Sequence, residues 1–141
     1  MIKKFQLIVC VFLWIVVSFL FSGCKQQIKV DGIQSKVQGV INGNTVELQN
    51  GLKVELLGIK PTALTKTYLE SEVKGKTVIV ISDSKQPQFI NTYLTKVRAY
   101  LRVKGDRGSI SGKMLQSHIA ELNQTFVHDS IEKYKRYAYG E

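Results

Sequence analysis

Cysteine is scarce in this chain, with 2 among 141 residues, and carboxylates are few, with 11 Asp and Glu against 20 Lys and Arg. So few thiols exclude a disulfide-stapled mini-protein. Hydrophobic runs are equally sparse: only residues 5–21 form a long one, which excludes a multi-span membrane protein. No internal repeat and no low-complexity tract is present. What remains is ordinary for a folded domain. Apolar residues make up 44% and charged residues 22%, a composition that argues against extensive disorder, and the length suits one domain. The shortage of acid leaves a formal charge of +9.

The apolar run is placed at the N-terminus. Lys3 and Lys4 precede it, residues 5–21 carry no charge, and Ser22-Gly23-Cys24 ends it before Lys25-Gln26-Gln27. A basic start, an apolar stretch and small residues at its end make an export signal. Cys24 after Ser22-Gly23 resembles the lipobox of bacterial lipoproteins, with Phe21 where the family usually has Leu. That resemblance implies acylation of the Cys24 thiol and cleavage of residues 1–23. The alternative is an uncleaved anchor, since about 17 apolar residues just span a bilayer. Either way the expected location is the cell membrane, with the body facing outside the cytoplasm. Cleavage leaves 118 residues with a charge of +7 and Cys24 as the single cysteine. No intramolecular disulfide is then possible, and the core must be stable by burial.

Residues 24–34 show no period and read as a tether. Beyond them the spacing predicts strands over 37–41, 45–49 and 53–57, separated by Asn42-Gly43 and Asn50-Gly51. Asn-Gly between alternating segments is a strong hairpin signal, because both residues tolerate positive φ. Thr62, after Pro61, is a candidate N-cap of a helix ended by Gly75. Residues 77–81 are a β-branched run expected to be covered on both faces, and 96–104 alternate as a fifth strand. Ser111 is expected to cap a helix with Met114, Leu115, His118, Ile119 and Leu122 on one side. Asp129 and Glu132, at capping-box spacing, open a last helix. The loop over 82–95 has no clear period.

Three strands, a helix, two strands and two helices suit a small OB-type barrel. Here the residues resemble the staphylococcal nuclease-like family. Val40-Ile41-Asn42-Gly43-Asn44-Thr45-Val46 resembles its V-x-D-G-D-T-V hairpin, and Lys53-Val54-Glu55-Leu56-Leu57-Gly58-Ile59-Lys60-Pro61 its K-V-R-L-L-G-I-D strand and following proline. Gly75-Lys76-Thr77-Val78-Ile79-Val80, Ala99-Tyr100-Leu101, Ile110-Ser111 and Met114-Leu115 resemble later segments, in the family's order. The fold class expected is α+β, mainly β: a five-stranded OB-type barrel with about three helices over residues 35–126, then a C-terminal helix and tail over 127–141.

The resemblance implies a Ca²⁺-dependent nuclease whose carboxylates hold the metal, whose glutamate serves the attacking water and whose two arginines neutralise the phosphate. Each of those positions is altered here. The hairpin aspartates fall on Asn42 and Asn44, whose neutral oxygens bind Ca²⁺ less strongly than carboxylates do. The aspartate after the third strand falls on Lys60, which has no lone pair to offer a cation. The glutamate falls on Thr62, no useful base near neutral pH. The first arginine falls on Glu55, and the second on Lys96 or Thr95. One electrostatic group of this kind is worth about 10²–10³-fold in rate. The expectation is a catalytically silent domain with no catalytic residue, no metal and no cofactor. An active nuclease with calcium is the alternative. Glu55 and Lys60 are expected to pair across the former site.

The fifth strand alternates Lys96, Arg98, Tyr100, Arg102 and Lys104 with an apolar row. Such a stripe suits nucleic acid or another anionic polymer, while a solvated face blunting a sheet edge explains it at least as well. A +7 body on a tether is also drawn to anionic lipid. His118 reads as a packing residue, and His128 as a loop residue beside Asp129. The tyrosines Tyr134, Tyr137 and Tyr139 read as packing of a terminal helix or as an interaction surface. The functional expectation is a membrane-anchored binding or assembly module, with an envelope protein as a further candidate partner and no oligomeric state implied.

Overall fold

The computed structural model describes residue 6 and residues 29–140 apart from 92 and 94. The segment expected to be an export signal, apart from residue 6, and Cys24 lie outside the described residues. Five strands, β1 (Gln34–Asn42), β2 (Thr45–Leu48), β3 (Lys53–Leu56), β4 (Thr77–Ile81) and β5 (Lys96–Val103), are joined in the order β1-β2-β3-β5-β4 and close in a ring. β1 has nine residues and serves both neighbours: residues 37–42 pair with β2, and Gln34, Ser35 and Lys36 pair with β4. Only β3 and β5 run parallel, with Glu55 opposite Arg98. A parallel pair needs a crossover rather than a hairpin, and the chain between β3 and β5 supplies a helix and β4.

Alternation decides which side chains fill the ring. Val37, Val46, Leu48, Val54, Leu56, Val78, Val80, Val97, Ala99 and Leu101 are all buried. Each fully buried Val or Leu stabilises the fold by about 1.5–3 kcal/mol relative to exposure. β4 is half-covered: Val78 and Val80 point inward, while Thr77, Ile79 and Ile81 are only partly buried. The expectation of cover on both faces is corrected by that pattern. A β-branched run of five is too short for composition to report its outer face.

Both Asn-Gly turns form, by different means than expected. Neither asparagine has positive φ, and of the two glycines only Gly51 does. The asparagine side chains close the turns instead: Asn42 Oδ1 accepts from the Asn44 N–H at 2.9 Å, and Asn50 Oδ1 from the Leu52 N–H at 3.0 Å. These are Asx turns. Gly43 is required by proximity, because a Cβ there would press on the backbone of Thr62 and the Thr65 side chain.

Thr62 caps helix α1 (Ala63–Tyr68) as expected: its Oγ1 accepts from the Thr65 N–H at 3.1 Å, and Thr65 Oγ1 accepts from the Thr62 N–H at 2.9 Å. The helix then widens into a π turn, Leu69–Val73, which buries both of its end residues. Helix α2 (Ile110–Gln116) is capped by Ser109 rather than Ser111; Ser109 Oγ accepts from Gly112, while Ser111 is buried within the first turn. α2 stops before His118, which is exposed with φ of +56°. The expected packing role of His118 is therefore corrected. Ile119 and Leu122 pack from an irregular segment, where Ile59 and Leu122 form an isolated bridge. Helix α3 (Ile131–Tyr139) starts after Ser130 without a side-chain cap, because Asp129 is engaged elsewhere. In the segment read as tether, Val30 is buried, the Gly32 N–H bonds Val80 at 2.8 Å, and Asp31 Oδ1 accepts from Ser82 at 2.9 Å.

Candidate functional site

The β1–β2 turn and the start of α1 meet at a shallow depression of about 320 Å³ lined by Ile41, Asn42, Gly43, Thr62, Ala63 and Lys66. Of the expected site residues, Asn42 and Thr62 share it. Asn44 lies just behind, its carbonyl accepting from Leu56 at 2.6 Å and its Oδ1 from the Thr45 hydroxyl at 3.2 Å. Thr62 contributes its hydroxyl to the helix cap.

Glu55 is held on the outer face of β3 between two cations of β5. Oε1 accepts from Arg98 Nε at 3.0 Å, and Oε2 is 3.3 Å from Lys96 Nζ. The Glu55 and Arg98 side chains are 18% and 16% exposed, so the pair is well shielded from water. Arg98 also donates from Nη1 to Gln86 at 3.2 Å and stacks on Phe126, with 3.6 Å from its guanidinium carbon to the ring centroid. The expected pairing of Glu55 with Lys60 does not occur. Lys60 lies beyond the end of β3, with Nζ 3.6 Å from Glu121 at an exposed position and its N–H on the Glu121 carbonyl. The parallel register puts Arg98 directly opposite Glu55, so the nearest cation comes from another strand rather than from five residues along the chain.

Tyr100 does not face solvent. It is 6% exposed, and its hydroxyl is the centre of a buried network: it donates to Asp83 Oδ2 at 2.7 Å, and His128 Nδ1 lies 2.8 Å away. The Ser130 N–H reaches the same oxygen at 3.2 Å. A phenol has one proton, which goes to the carboxylate, so His128 must donate from Nδ1. Its Nε2 is then a bare acceptor, buried with no partner among the described residues. Burial pushes the imidazole pKa down, against the pull of Asp83. Burial likewise pushes the Tyr100 phenol far up. Asp83 accepts two further bonds, from the N–H groups of Asp129 at 2.7 Å and Lys85 at 2.9 Å. His128 is fully buried, so this constellation has no access to a substrate and works as a staple holding the C-terminal segment to β5. Tyr134 completes it, edge-on to Tyr100 with centroids 5.9 Å apart and 5.4 Å from the His128 ring.

Asp83 and His128 were missed as partners by sequence reasoning. Asp129, next to His128 in the chain, bonds the Ser84 hydroxyl at 2.8 Å instead. Nothing in the spacing of residues 83, 100 and 128 signals that they meet. Arg102 and Lys104, the remaining members of the stripe, lie past the covered part of β5; Lys104 is exposed and Arg102 partly so. The stripe is thus divided, with Lys96, Arg98 and Tyr100 committed to internal partners and its far end open.

A larger groove of about 570 Å³ lies between residues 29–31 and the segment after β4, with Asp31, Ser82, Gln86 and Arg98 among its walls. Those polar groups bond one another or their neighbours. Among the described residues, no group of three His, Cys, Asp or Glu side chains could hold a metal ion, and no helix is long and apolar enough to cross a membrane.

No protein-family model matches this chain, and no curated protein matches it. The functional reading therefore stands on its own residues and their geometry.

Proposed function

We propose that the chain is a lipid-anchored protein outside the cytoplasm, acylated at Cys24, whose ring of strands is a staphylococcal nuclease-like OB-type barrel without nuclease activity. It serves as a binding or assembly module. The observation that carries this reading is the Glu55 cluster. At the position where the resemblance expects a phosphate-neutralising arginine, a carboxylate contacts both Lys96 and Arg98 and offsets one of their two charges. A phosphate approaching this face would meet Glu55 first and two cations already paired. Supporting it, Thr62 is spent on a helix cap, and Lys60 sits on Glu121 at the surface. The order of strands and helices matches what the resemblance implies.

The test is hydrolysis of plasmid and single-stranded DNA by the full chain, with Ca²⁺ and with chelator. The expected result is no cleavage above background in either. Chelator-sensitive cleavage lost in Lys60→Ala would overturn the silent-domain reading. The anchor is tested separately by fractionating cells that carry Cys24→Ser. Loss of lipid labelling is expected, and unchanged labelling would refute acylation at Cys24.

A further inference from the structure

We infer that the outer face of β1, β4 and β5 is a docking surface for an anionic lipid bilayer. This rests on the proposed N-terminal membrane tether, in either its lipid-anchored or its uncleaved form.

Strand register assembles the face. Lys36 is the Cα partner of Thr77, and the Lys104 N–H bonds the Thr77 carbonyl at 2.9 Å. One row across three strands therefore reads Lys36, Thr77, Lys104. The next row reads Gln34, Ile79, Arg102. Alternation puts both rows, with Ile81, on the side away from the packed Val78, Val80 and Leu101. Lys74, Lys76 and Arg107 are exposed at the rim where β4 begins and β5 ends. None of Lys36, Lys74, Lys76, Arg102, Lys104 or Arg107 takes part in an ion pair among the described residues. The nearby carboxylate Asp106 is occupied by Lys113. The other positive cluster of β5, Lys96 and Arg98, is half offset by Glu55. Six of the eleven cations outside ion pairs among the described residues thus lie on this sheet face or at its rim, near the half-buried Ile79.

Two features favour a bilayer over a soluble polyanion. The chain enters the described structure beside this face: Asp31 and Gly32 are bonded to Ser82 and Val80 at the end of β4, and β1 then runs along β4. Only four residues separate Cys24 from Lys29, so the lipid cannot stand far from it; four extended residues span roughly 14 Å. The face also lacks an exposed aromatic ring for base stacking, since the tyrosine of β5 is buried. Ile79 beside Arg102, with Lys36 and Lys104 in the adjoining row, matches a lipid interface, where each Lys or Arg near an anionic surface contributes a free energy equivalent to roughly 5-fold in partitioning.

The experiment uses the full chain with Trp14→Phe, carrying a single tryptophan at Gln34→Trp on this face or at Glu132→Trp on α3. Each is reconstituted into phosphatidylcholine vesicles containing brominated lipid, with or without phosphatidylglycerol. Expected is quenching at position 34 and not at 132, only with phosphatidylglycerol, and relieved by high salt. Reversing three cations (Lys36→Glu, Arg102→Glu, Lys104→Glu) should weaken docking by at least about 100-fold, the factor for losing three positive charges. Lys104→Glu alone, at an exposed position, should weaken it several-fold and guards against misfolding of the triple variant. Equal quenching at both positions, or quenching indifferent to phosphatidylglycerol, overturns the proposal. So does salt-sensitive binding of single-stranded DNA through these cations without quenching by vesicles, which would make the face a polymer site. Absence of lipid labelling from the chain that retains Cys24, with intact docking, would refute only the acylation site, whereas labelled protein without quenching at 34 would refute only the docking face.

Discussion

Glu55 and Arg98, 43 positions apart in the chain, face each other in the parallel β3–β5 ladder and are joined from Arg98 Nε to Glu55 Oε1 at 3.0 Å. The contact spans the one parallel junction among the described strands, with both side chains mostly shielded from water.

Breaking that pair should be felt as stability. Glu55→Gln leaves Arg98 and Lys96 without a counter-charge, at an expected cost of about 1–2 kcal/mol. A double-mutant cycle of Glu55→Gln with Arg98→Met, read by urea unfolding, should return a coupling near that size. Additive effects would show that the pair contributes nothing beyond packing.

Gly58 and Gly51 provide a matched comparison. Both have positive φ, +87° and +85°, but a Cβ at Gly51 meets open space whereas one at Gly58 strikes the Tyr134 ring. Gly51→Ala should cost about 1–2 kcal/mol, the left-handed backbone penalty alone. Gly58→Ala should cost roughly 1–3 kcal/mol more from overpacking. Thermal unfolding of the two variants measures the difference.

Acid should loosen the C-terminal segment through His128. Its folded pKa lies below the ordinary value of 6.5, chiefly because of burial. The unfolded state therefore binds the proton more readily, so this contribution is complete above about pH 6.5 and declines as pH falls below it. Asp129 and Asp106 have depressed pKa values, the former mainly through the Ser84 hydroxyl and the latter mainly through Lys113, so they act lower, below the ordinary carboxylate value of 3.8. The urea midpoint should fall between pH 6.5 and 5 in the parent chain. In His128→Asn it should be lower at pH 7 and nearly flat across that range; an unchanged slope would assign the titration elsewhere.

Alkali should act through Tyr134, whose phenol is pushed up to about 12 by burial. The folded state holds the proton longer than the unfolded state, so stability falls as pH rises above about 10 and levels off past 12. Tyr134→Phe gives up a 2.6 Å hydrogen bond to Ser109, a loss of about 1 kcal/mol near neutral pH. It should also flatten the alkaline decline in part, Tyr100 supplying the remainder. Unfolding midpoints at pH 7, 10 and 11 would show it.

The sequence by itself determined the strands, their turns and the inward row, because alternation and turn chemistry act within a few residues. Thr62 as a cap, the hairpins at Asn42 and Asn50, and Val97, Ala99 and Leu101 as core were all legible for that reason. Tertiary structure alone decided who meets whom. Arg98 rather than Lys60 neutralises Glu55 because ring closure sets the β3–β5 register. Tyr100 is buried because helix α3 and the residues before it fold back over β5 and bring His128 to Asp83 across 45 positions. Strand periodicity tells which side a residue faces. It does not tell whether that side meets water or another part of the chain, and that difference divides the β5 stripe into a sealed half and an open one.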